Sequence, residues 1–76
     1  MTKLQTAEDL AAAVRPLCAS QELWDSLERE TAENAFCAFV LTALPHDEAC
    51  RFSDYCFKAT TEEMVDKGLE MLRSEA

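Results

Sequence analysis

From Asn34 to Pro45 the chain reads NAFCAFVLTALP, its most apolar run, and the rest of the hydrophobic pattern is organised around it. This run closes a longer segment, Gln21 to Leu44, that holds neither Gly nor Pro and follows Ser20, a residue suited to capping a helix. The pattern therefore predicts one long helix over 20–44, about 36 Å from end to end. At about 100° per residue, Leu23, Trp24, Leu27, Thr31, Ala35, Ala38, Leu41 and Thr42 share one face along its whole length. The other side changes character halfway. It carries Glu22, Asp25, Arg29, Glu30 and Glu33 first, then Phe36, Val40, Ala43 and Leu44, with Phe39 beside them. An amphipathic first half and a second half buried on two sides are expected.

Three shorter helices are predicted around it. Thr6 is placed to cap a helix over 7–15, with Ala7, Leu10, Ala11 and Val14 at helical spacing and Pro16 ending it, which leaves residues 1–5 frayed. Pro45 opens a helix over 46–58 with Asp47 and Glu48 in its first turn; Ala49, Cys50, Phe52, Tyr55, Cys56 and Phe57 give it so wide an apolar surface that it reads as a buried layer. Thr60 and Glu63 form a capping box for a helix over 61–74. There Met64, Val65, Gly68, Leu69, Met71 and Leu72 face inward, and Gly68 marks a close helix crossing. Acid-to-base pairs four residues apart, Asp25/Arg29, Asp47/Arg51, Asp54/Lys58 and Glu63/Lys67, support the same periodicity. The expected fold is all-α: a single four-helix domain spanning 1–76, with helices 7–15, 20–44, 46–58 and 61–74.

Chain length changes this picture in one respect. A core built from 76 residues is marginal, and the side of the long helix that carries Phe36, Phe39, Val40, Ala43 and Leu44 exceeds what three short helices are expected to cover. The reading is a homodimer that buries this surface across a two-fold axis.

Charge narrows the function. Fifteen acidic against seven basic residues give a net charge of -8, which disfavours direct contact with nucleic acid or an anionic membrane and favours a basic protein partner. Glu22, Trp24, Asp25, Glu28, Glu30 and Glu33 are the candidate docking residues; Trp24, on the continuous apolar face, reads first as a core residue and second as an aromatic anchor within the acidic cluster. The N-terminal MTKLQTAEDL has no apolar core of signal-peptide length, and the longest apolar run, Ala35 to Leu41, falls well short of the roughly 20 residues of a membrane helix. A cytoplasmic protein with its four cysteines reduced is expected.

Little in the chain points to catalysis. His46, the single histidine, lies four residues before Cys50, a spacing that serves a nucleophile and base or two metal ligands. The cysteine spacings match no zinc module, and one Gly leaves no phosphate-binding loop. The reading is a non-enzymatic protein-binding module, a regulator or inhibitor, with no catalytic, cofactor or metal site. Its alternatives are an acidic decoy that blocks a DNA- or RNA-binding protein and, third, a thiol enzyme using Cys50 and His46.

Overall fold

The computed structural model describes residues 2–23 and 26–75, the side chain of Leu23 excepted. Within them the chain forms four α-helices and no strand: α1 (Lys3–Ala19), α2 (Leu27–Ala43), α3 (His46–Cys56) and α4 (Thr61–Glu75), with a 3-10 turn at Gln21–Leu23. The all-α, four-helix expectation holds, while several boundaries move.

The first helix begins earlier and ends later than its pattern suggests. Thr2, not Thr6, is the cap: its Oγ1 accepts from the Gln5 backbone N–H at 3.0 Å, and Thr6 lies inside the helix, its hydroxyl donating to the Thr2 carbonyl. Pro16 is carried within the helix. A proline removes the hydrogen bond to the carbonyl four residues back, here that of Ala12, and both residues lie on the exposed side of the helix, where the cost of losing that bond is least. Burial of Ala7, Ala11 and Val14 on the opposite side holds the helix together through this defect.

The predicted long helix is two pieces. Ser26 starts α2 anew, its Oγ accepting from the Arg29 backbone N–H at 3.1 Å, with Glu28 and Glu30 in the first turn. The orientation of α2 also reverses the sequence reading. Phe36 and Val40 are wholly buried and Leu44 nearly so, while Thr31, Ala35, Ala38 and Thr42 face outward and Leu27 is 76% exposed. Area decides this, because a Phe or Val side chain gains far more on burial than an Ala or a Thr methyl. Only one side of the second half of α2 is buried, not two. The dimer reading loses its ground with it: Phe36, Val40 and Leu44 are covered within one chain and Phe39 and Ala43 are half-buried.

Helix α4 supplies much of that cover. Met64, Val65, Gly68, Leu69, Met71 and Leu72 are all buried, as its periodicity predicts. A Cβ built on Gly68 would stand 3.0 Å from Cε1 and Cζ of Phe36 and 3.2 Å from Cγ2 of Val40, so α4 crosses α2 closely enough that any side chain there would make these neighbours give way. The capping box forms both of its bonds, Glu63 N–H to Thr60 Oγ1 and Thr60 N–H to Glu63 Oε1. Arg15 binds Asp66 at 2.7 Å and Arg73 approaches Glu8 at 3.9 Å, so α1 and α4 run antiparallel.

Helix α3 is amphipathic rather than a buried layer. Phe52 is its one fully buried residue among those described; Ala49 and Cys56 are half-buried, Cys50 is exposed, and Phe57, in the turn after Cys56, is 87% exposed. Two of the expected charge pairs are also exchanged for others: Arg51 bonds Glu48 at 3.1 Å, and Lys67 lies 3.8 Å from Glu70.

Candidate functional site: the end where α2 and α4 begin

The starts of α2 and α4 lie side by side at one end of the bundle, near the close of α1. Thr61 donates to Glu33 Oε1 at 2.8 Å and Arg29 Nε lies 3.2 Å from the same oxygen, so the two helices share one half-buried carboxylate. Cys18, Arg29, Thr60, Thr61 and Glu62 line a cleft of about 230 Å³ there. Burial pushes the Cys18 thiol up, and the Glu33 carboxylate adds to this. Such a thiol is a weak nucleophile at neutral pH, and Glu62 in the cleft lining, like Glu33, holds it further toward the protonated form.

Around this inner network the surface is acidic. Glu22, Glu28, Glu30 and Glu62 are exposed, and among the described residues none of them is in an ion pair. Dipole compensation accounts for acids in the first turns of α2 and α4. It does not account for Leu27 between them, or for Phe57 in the connection that leads into α4. Each leaves on the order of 1.5–3 kcal/mol of burial energy unused. Of the docking residues named from sequence, Glu22, Glu28 and Glu30 are each exposed; Glu33 is drawn into the Arg29–Thr61 network; Trp24 and Asp25 lie outside the described residues.

Leu27 and Phe57 were legible only in part. Ser26 followed by Glu28 is a helix start in the sequence, and starting α2 there would have separated Leu27 from the turn before it. Nothing in the local pattern marks Phe57 as outward, since its exposure follows from where α3 stops.

Two other features bear on chemistry. His46 Nε2 and Cys50 Sγ lie 3.8 Å apart on the exposed side of α3, and among the described residues no carboxylate bonds the imidazole to orient it. Cys56 and Cys37 are in side-chain contact between α3 and α2; desolvation and then the neighbouring Cys37 push the Cys56 thiol up to about 11. Among the described residues no three His, Cys, Asp or Glu side chains gather in a metal-binding group, and no helix is long and apolar enough to cross a membrane. At the opposite end of the bundle a groove of about 650 Å³ opens over Leu4, Ala43, Leu44, Pro45 and Leu72, edged by Lys3 and Glu75.

These features describe an all-helical protein with an acidic end that carries exposed apolar side chains. Comparison with known protein families, with curated proteins and with solved structures finds no match to this chain.

Proposed function

We propose that the protein acts by binding another protein, as a regulator or inhibitor, through the end of the bundle where α2 and α4 begin. The observation that carries this reading is Leu27, 76% exposed at the first position of α2 and flanked by the carboxylates of Glu28 and Glu30. A partner that complements it presents an apolar pocket within a basic rim. Contact with Leu27 then supplies affinity, and Glu22, Glu28, Glu30 and Glu62 supply orientation and association rate. Phe57, in the connection that leads into α4, is the other exposed large apolar side chain among the described residues and a second candidate contact.

An acidic decoy for a nucleic-acid-binding protein would rest on the carboxylates alone. Its binding would weaken steeply with salt, because interactions between exposed charges are screened beyond about 8–10 Å. The outward Leu27 and Phe57 favour the mixed surface. Capture from host extract on the wild-type chain, on Leu27→Ser and on a Glu22→Gln/Glu28→Gln/Glu30→Gln variant separates the two readings. One protein lost with Leu27→Ser supports the proposal. A protein lost only with the triple variant supports the decoy, and one retained by both removes this end of the bundle from consideration.

A further inference from the structure

The His46–Cys50 pair has a geometry that the protein-binding reading does not use. Both residues are exposed on α3, one turn apart, and their donor atoms Nε2 and Sγ stand 3.8 Å from one another. A zinc ion lies about 2.0–2.1 Å from an imidazole nitrogen and about 2.3 Å from a thiolate sulfur. Donors 3.8 Å apart then subtend about 120° at the ion, close to the tetrahedral angle. The helix backbone fixes the spacing, so binding orders only two side chains that are already adjacent.

We propose that His46 and Cys50 are one half of a tetrahedral site for a soft divalent ion, with zinc as its probe, and that the same pair on a second copy of the chain is the other half. The argument for that occupant is donor count and charge. One chain gives two donors, and among the described residues no third His, Cys, Asp or Glu joins them. Two chains give two imidazoles and two thiolates, a ligand set found in closed zinc sites, whose two negative charges balance the ion. The pair lies on one exposed helix surface, so a two-fold axis beside it brings both halves to one point, as an isologous contact requires. Asp47, exposed next to His46, adds negative potential, whereas Glu48 is held by Arg51 at 3.1 Å. On binding, each Cys50 thiol gives its proton to solvent, so one ion taken up by two chains releases two protons.

Zinc titration of the reduced, metal-free full chain, followed by sedimentation velocity and by proton release, tests this, with cobalt(II) as the spectroscopic probe. The expected result is a dimer saturating at one ion per two chains, two protons released per ion, and a thiolate-to-cobalt charge-transfer band with tetrahedral visible absorption. His46→Ala and Cys50→Ser are surface changes that leave the helical circular dichroism intact. Each raises the zinc concentration for half-dimerisation at least about a hundredfold, and Cys37→Ser does not. A monomer holding one ion per chain, absence of metal uptake, a dimer indifferent to both variants, or a dimer dissolved by reductant but not by chelator would each overturn the proposal.

Discussion

Replacing Gly68 with Ala sets two effects of known sign against each other. In a helix interior Ala is favoured over Gly by about 0.8–1 kcal/mol, so at an open position the change would stabilise α4. At Gly68 the new methyl would meet the Phe36 ring at 3.0 Å and Val40 Cγ2 at 3.2 Å. Phe36 and Val40 are wholly buried, so neither can swing into solvent. Overpacking of this kind costs typically about 1–3 kcal/mol. The net prediction is a loss of up to about 2 kcal/mol, lowering Tm by roughly 4–8 °C per kcal/mol in a domain of this size. Phe36→Leu removes the Cε1 and Cζ contacts, so in that background Gly68→Ala recovers much of its helix-propensity gain. A double-mutant cycle by urea unfolding therefore yields a coupling of about 1–3 kcal/mol. Full stabilisation by Gly68→Ala in the wild-type background, with no coupling to Phe36→Leu, would refute the close crossing of α2 and α4.

Other predictions follow from single contacts. Ser26→Ala removes the acceptor for the Arg29 N–H and should cost about 1 kcal/mol in chemical denaturation, whereas Ser20→Ala, the cap expected from sequence, should change stability by less than about 0.5 kcal/mol. The Cys56 thiol titrates at about 11 in the folded chain against 9.0 unperturbed. The folded state therefore holds this proton longer than the unfolded state, so its contribution is constant below pH 9 and is lost as pH rises from about 9 towards 11. Cys56→Ala should flatten that part of the alkaline unfolding curve; an unchanged slope would contradict the assignment. At pH 8 iodoacetamide should label exposed Cys50 well before Cys56, as read by peptide mass spectrometry. Leu27→Ser should change stability by less than about 0.5 kcal/mol, because the side chain is already 76% exposed.

The helical class and the whole inward face of α4 are legible in the sequence because there every signal agrees: a capping box, a 3.6-residue period, and charge opposite the apolar stripe. In helix α2 the sequence pattern points to the wrong face for a physical reason. Its outward stripe of Leu27, Thr31, Ala35, Ala38 and Thr42 and its inward stripe of Phe36, Val40 and Leu44 are both uncharged, so polarity cannot rank them. Buried area can, and it selects the Phe–Val side against Gly68. The first helix runs past its predicted end because Pro16 and Ala12 both lie on its exposed side, where the lost hydrogen bond costs least. At the candidate site, the exposure of Glu22, Glu28 and Glu30 is what an acidic cluster leads one to expect from sequence. Glu33 was not separable from them, because its partner Thr61 is supplied by a helix distant in the chain.

The central claim is that the acidic end bearing Leu27 and Phe57 is the surface that meets a protein partner. Hydrogen–deuterium exchange of the chain, alone and with the captured partner, tests it most directly. Protection is predicted at residues 26–31 and 57–63, with little change at 42–45 and 72–75. Protection confined to the opposite end of the bundle would contradict the account.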